Sequence, residues 1–287
     1  AHEIELRRNR RAKGRRTPAA DDDAELAVAA EALADDMEYE DEDRVYRDSL
    51  AQLLREIDVG FPLKTVDRAL VSNFDFRRCL AVVVIGQDGL VANTAKYASD
   101  LPIIGVNPDP ARYDGVLLPF GVRHARNAVR RAIEGNADWR EVTLAEVNTN
   151  DGQRMLAFND FFIGATSHVS ARYTLEVGGR SEPQSSSGVL VSTGAGSTGW
   201  LSSLFNMTDG FGRAFGASGA SRLQLEWQDR RLVWAVREPF RSRHSGADLV
   251  AGLLEEGEEL VIGSQMPSRG VIFSDGVEDD FLEFGSG

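Results

Sequence analysis

The residues best placed to do chemistry are Asp88, bracketed by Gly86 and Gly89, and the later run Thr193-Gly-Ala-Gly-Ser-Thr-Gly-Trp200. A carboxylate beside glycines lets a ligand approach the backbone closely, while the acid accepts a proton or a hydroxyl hydrogen bond. The same aspartate can also be a turn residue that bonds its own backbone. In the later run, Gly194-Ala195-Gly196 frees the backbone to turn sharply, and Ser197-Thr198 offers hydroxyls to cap the helix that follows. Strand, glycine loop and helix start would then aim N–H groups and a positive dipole end at one spot, which suits a phosphate. A tight structural turn with an ordinary N-cap is the other reading of that loop. Lys96 is either a phosphate contact or a surface lysine at a helix end.

The elements around these residues divide the chain. Leu80 to Ile85 is a near-continuous apolar strand, as in a parallel sheet covered on both faces. It runs into Gly86-Gln87-Asp88-Gly89 and a helix through about Ala98. Leu101 to Val106 reads as the next strand, Asn107 to Pro119 as a loop, and Val122 to Ile133 as a helix. Thr65 to Leu70 is a candidate strand, and Val45 to Ile57 a helix with Leu50, Leu53, Leu54 and Ile57 on one face. Alternation of this kind predicts a Rossmann-like α/β domain over 44–136. In open sheets of this type, ligands bind where strands turn into helices.

From Ala137 the pattern becomes β-rich, predicting a sandwich-like domain over 137–287 that carries the glycine loop. Trp139 to Val147 and Gln153 to Phe158 flank Asn150-Asp151-Gly152, a hairpin signal. Asn159-Asp160 precedes the apolar Phe161-Phe162-Ile163. Val169 to Val177 alternates and turns at Gly178-Gly179, and Val189 to Val191 reads as a buried strand. Leu223 to Trp227 with Leu232 to Val236 suggests a further hairpin. Glu259 to Ile262, Val271 to Ser274 and Phe281 to Phe284 add late strands, with Asp275-Gly276 as a turn.

Composition bounds the function. The 287-residue, 31.4 kDa chain is 42% hydrophobic, enough for a substantial core in two domains. Its net charge of −13 argues against a general nucleic-acid binder. No apolar run approaches the roughly 20 residues that cross a bilayer. With Cys79 as the single cysteine, an internal disulfide is impossible, which fits a reducing, cytoplasmic setting. Residues 1–43 combine a basic run, Arg7 to Arg16, with a dense acidic stretch, and read as a charged, partly disordered extension. Within it, Ala24 to Leu33 has good helix formers. His124, His168 and His244 lack metal-ligand spacing, so no protein-held metal is expected.

Three motifs in register resemble the ATP–NAD kinase family. They are Gly86-Gln87-Asp88-Gly89, where that family has Gly-Gly-Asp-Gly; Asn159-Asp160, where it has Asn and an acid; and Thr193 to Trp200, where its Gly-Ser-Thr loop ends in Ala-Tyr. Asn107-Pro108-Asp109-Pro110 with Arg112 and Leu118-Pro119 looks most like the mitochondrial-type branch and related bacterial sequences. The likeness covers roughly Arg78 to Phe284. It implies that Asp88 contacts the ribose 2′-hydroxyl of NAD and assists its deprotonation during transfer from ATP. It further implies Gly86, Gly89, Gly194, Gly196, Ser197 and Thr198 near the nucleotide or its phosphates. Asn159, Asp160, Ser187 and Trp200 would meet NAD. Magnesium would arrive with ATP, and the family's dimers or tetramers imply a homo-oligomer.

This chain also departs from the pattern. Gln87 replaces a glycine and Leu90 a threonine on the phosphate side; Ser187 replaces an aspartate and Trp200 a tyrosine on the acceptor side. Other readings therefore stay open: a kinase of this fold acting on a sugar or lipid, or a nucleotide sensor in which Gln87 blocks transfer. Gly194, Gly196 and Gly199 also satisfy the G-x-G-x-x-G dinucleotide fingerprint, but no acid follows about 20 residues on. The P-loop fails because no Gly-Lys-Ser/Thr follows the glycines.

Overall fold

The computed structural model describes residues 39–98, 100–216, 222–277 and 280–286. The basic run and the Ala24 to Leu33 segment lie outside the described residues. Helix α1 occupies 39–56 among the described residues, beginning upstream of the expected Val45 and crossing the boundary set at residue 43. Thr65 to Leu70 is not a strand. Asp67 accepts from the Ala69 N–H and caps a 3-10 turn over Arg68–Asn73 instead.

Strands β1 (Val82–Ile85), β2 (Ile103–Asn107) and β3 (Phe120–Gly121) form a parallel sheet in that order. Helix α2 is Asp88–Ala98, and α3 is Ala125–Ile133 after a 3-10 turn. Because side chains alternate along a strand, Ile85, Ile104 and Val106 pack with Leu53 and Ile57 of α1 and Val129 of α3. Val84 and Ile103 pack on the other side with Val91 of α2. Both sheet faces are covered, which is why these strands are apolar throughout.

The remainder is β-rich. β4 (Ala145–Asn148) and β5 (Arg154–Ala157) make the expected hairpin, with Val147 opposite Met155. β6 (Asp160–Ala165), β9 (Val189–Ser192), β10 (Leu232–Val236), β11 (Ala251–Leu254), β13 (Gly270–Ser274) and β14 (Phe281–Glu283) form one sheet, ordered β11-β10-β9-β6-β13-β14. β7 (Ala171–Val177), β8 (Arg180–Ser186) and β12 (Val261–Ser264) form the other, ordered β12-β7-β8. Phe161, Ile163, Val189, Val191 and Ile272 of the first sheet meet Tyr173 and Leu175 of the second in one core. Helix α4 (Trp200–Phe215) lies on the outer face, where Leu201 packs with Leu190 and Val233.

Two elements differ from expectation for clear reasons. Leu223 to Trp227 forms no strand, because its backbone is engaged elsewhere: the Leu225 N–H donates to Ser197 Oγ, and the Trp227 carbonyl accepts from Thr143. β10 pairs with β9 and β11 instead. β8 has no apolar pattern, since its inward positions are polar. Gln184 donates to the Leu249 carbonyl at 2.9 Å, and Ser186 shares a 2.7 Å bond with the Tyr173 hydroxyl. Pro183 fits because β8 is an edge strand.

Candidate functional site

β1 ends at Ile85, Gly86 follows with a φ of +152° that is open to glycine, and Asp88 begins α2 two residues later. The Asp88 carboxylate does not bond its own turn. It accepts from the Leu117 N–H at 2.7 Å and from the Val116 N–H at 3.2 Å. The long loop after β2 thus aims this side chain. That loop is itself pinned: Ser49 of α1 donates to the Pro108 carbonyl, and Asn107 donates to the Tyr113 carbonyl. A Cβ on Gly89 would meet nothing within 4 Å, so the space above it is open. Gln87, the residue in place of glycine, is exposed and turns its amide to the Tyr113 hydroxyl at 3.3 Å. Tyr113 in turn donates to Glu42 of α1.

Asp88 and Gly89 form one wall of a crevice of about 200 Å³. The other walls are Val116 and Leu117, Phe158 and Asn159, Ala195 and Thr198, and Trp227. Two regions more than a hundred residues apart in sequence therefore face each other across a shared space. Thr198 is exposed, and Asn159 has no side-chain hydrogen-bond partner among the described residues, so both are available to a ligand.

The glycine loop departs from the phosphate-cradle expectation. Gly196 donates to Thr193 Oγ1, Ser197 N–H to the Gly194 carbonyl, and Gly199 N–H to the Gly196 carbonyl, so these donors are used within the loop. Gly194 and Gly196 are glycines because backbone presses on them. A Cβ would stand 1.8 Å from the Glu226 carbonyl oxygen at the first and 2.1 Å from that of Asn159 at the second. Ser197 is buried and its hydroxyl joins Thr193 to Leu225. Neither Ser197 nor Thr198 caps α4, whose N-cap is Gly199 with no side-chain bond. The structure thus brings Asp88, Gly89, Asn159 and Thr198 together, and buries Gly194, Gly196 and Ser197 as support.

Asp160 follows Asn159 into β6 and is 6% exposed. Burial, with the nearby Asp275 charge second, pushes its carboxyl up to about 7. Asp275, at a φ of +55°, accepts from the Asn159 N–H at 2.6 Å and the Phe158 N–H at 3.0 Å. Burial also raises its carboxyl, opposed by those N–H groups and by Lys96. Lys96 matches neither expectation. It is buried, donates to Ser274 Oγ at 2.8 Å, and lies 3.5 Å from Asp280. It therefore ties α2 to the β-rich part.

Ser187 and Trp200 lie apart from the crevice lining. Ser187 donates to Glu238, and its N–H reaches the Arg237 carbonyl. Trp200 stacks on Phe162 with centroids 5.7 Å apart, and the Arg237 guanidinium sits 5.0 Å from its ring. Sequence reasoning missed Val116, Leu117, Phe158 and Trp227. Only the aromatic character of the last two offered any signal.

No family model and no curated protein matches the chain. Among solved structures, a yeast NADH kinase complexed with NADH superposes with a TM-score of 0.56 at 16% identity, covering 84% of this chain and 74% of that one. An NAD kinase from Archaeoglobus fulgidus in complex with ATP gives 0.54 at 18%, covering 84% and 83%. The fold is that of the NAD kinases. The NAD-kinase fold accounts for the parallel sheet followed by a β-rich part, and the crevice of this chain lies between them. Among the described residues, no helix is long and apolar enough to cross a membrane.

Proposed function

We propose that this chain is an NAD kinase, transferring a phosphoryl group from ATP to the 2′-hydroxyl of the adenosine ribose of NAD. The observation that carries the reading is the shared crevice: Asp88, oriented by two backbone N–H donors, faces Asn159 and Thr198. Asp88 would take the 2′-hydroxyl proton as the oxygen attacks the γ-phosphorus, while the bond to the leaving ADP oxygen breaks. Phosphoryl transfer depends mainly on placement and charge neutralisation, and a crevice with one fixed carboxylate supplies the placement. Magnesium, carried on the triphosphate by phosphate oxygens and water, supplies the neutralisation when bound. In this reading the ion comes with its nucleotide.

Gln87 supports a transferring enzyme more than a blocked sensor, because its amide is drawn to Tyr113 and it is absent from the crevice walls. NADH is a second acceptor to test, since a fold neighbour was complexed with it and the reacting ribose is the same. The reading includes a cytoplasmic homo-oligomer, supported by the exposed apolar stripe Met207, Phe211 and Phe215 on α4. The deciding assay is formation of NADP, or NADPH, from ATP with magnesium. Production by the native chain and its loss in Asp88→Asn is the expected result. Absence of product with both acceptors overturns the reading.

A further inference from the structure

The crevice has an aromatic wall that no motif of the sequence assigns. Trp227 is half-buried, and the Phe158 ring meets it edge-on, with centroids 6.4 Å apart at 76°. The Arg140 guanidinium lies over the indole at 4.5 Å from its centroid. The backbone here is fixed by two contacts. The Trp227 carbonyl accepts from Thr143 at 2.9 Å, and the preceding Glu226 carbonyl lies against Gly194, which has no side chain to push it away. The indole is thus held in place before any ligand arrives.

The covalent structure of a nucleoside links this wall to the chemistry. The base and the 2′-hydroxyl are carried on adjacent carbons of one ribose, C1′ and C2′. A ribose whose 2′-hydroxyl meets Asp88 must therefore place its base within the same crevice. Of the groups that line it, Trp227 and Phe158 are the two with π-faces or edges to offer a purine. We propose that Trp227 is the stacking platform for the adenine of the acceptor, backed by Arg140, and so supplies much of the acceptor's affinity. This assignment rests on the NAD kinase reading and deepens it.

Trp227→Ala and Trp227→Phe are compared with the native chain in steady-state kinetics, with circular dichroism to verify folding. In Trp227→Ala, the KM for NAD should rise about tenfold or more, the loss of one base–aromatic stack. The KM for ATP should stay within about twofold, and Trp227→Phe should recover most of the NAD affinity. Adenosine should quench the tryptophan fluorescence of the native chain. The quench should be lost in Trp227→Phe although calorimetry still detects binding, a signature that a purely structural indole would not give.

An unchanged NAD KM in folded Trp227→Ala, a rise in the ATP KM instead, or a quench that survives in Trp227→Phe would each overturn the assignment. If Trp227→Ala does not fold, the phenylalanine variant and the quench decide alone. If the native chain makes no NADP or NADPH, the kinase reading falls by itself. The adenosine quench then still decides the stacking role, and its absence overturns that too.

Discussion

Two aspartates, Asp88 in the crevice wall and Asp160 buried next to the lining residue Asn159, sit in opposite surroundings. Asp88 is half-exposed at the start of α2 and accepts from two backbone N–H groups of a neighbouring loop. Asp160 is buried at the start of β6 beside a second buried carboxyl, and its value is raised to about 7. One carboxyl is set by donors that aim it, the other by the absence of water. A group that must meet a moving proton benefits from the first arrangement. A group that must hold a polar ligand, or seal a junction, tolerates the second.

The largest contrast should appear in turnover. Asp88→Asn is expected to lower NADP formation by about 10²–10⁴-fold. Its stability should change by only about 1 kcal/mol, because an amide oxygen can keep one of the two hydrogen bonds and only the other is lost. Equal turnover in native and variant chains, measured with folding verified by circular dichroism, would erase the distinction between the two carboxyls.

Next in size is the support beneath Asp160. Lys96→Met removes the buried cation that bonds Ser274 and faces Asp280 and Asp275, and should cost about 3 kcal/mol in denaturant unfolding. A loss below about 0.5 kcal/mol would mean that the two acids do not need that charge.

The smallest and most discriminating effect depends on pH. A carboxyl whose folded value is raised binds a proton on folding, so its stabilising contribution is complete below about pH 4, its unfolded value. That contribution is lost as pH rises through about 7. Asp160→Asn should therefore be more stable than the native chain at pH 8, by on the order of 2 kcal/mol, and nearly equal to it at pH 5. Thermal melts at the two pH values test this, and a gain at pH 5 alone would reverse the sign.

The α/β layout was legible because buried parallel strands must be apolar on both faces, as in Val82 to Ile85, and because Asn150-Asp151-Gly152 demands a turn. β8 was invisible because its inward residues, Gln184 and Ser186, are polar, leaving no apolar alternation to read. The site was partly legible. Asp88, Gly89 and Thr198 belong to motifs with a chemical logic of their own, while Asn159 was marked only by the family resemblance. Val116 and Leu117 contribute N–H groups, which any residue but proline carries, so no side chain could announce them. Lys96 was misjudged because helix-end position suggests solvent, whereas its real setting depends on Ser274 and Asp280, far along the chain. Gly194 and Gly196 were read as either a phosphate loop or a tight turn, and the carbonyls of Glu226 and Asn159 that crowd them were not foreseeable from sequence.

Asn159 is gripped from both sides: Asp275 holds its N–H, and its carbonyl receives Thr193 and rests against Gly196. Little backbone motion is left there for a ligand to arrest. On the NAD kinase reading, association at this end of the crevice should consequently cost little backbone entropy, leaving the Asn159 side chain as the group to be ordered.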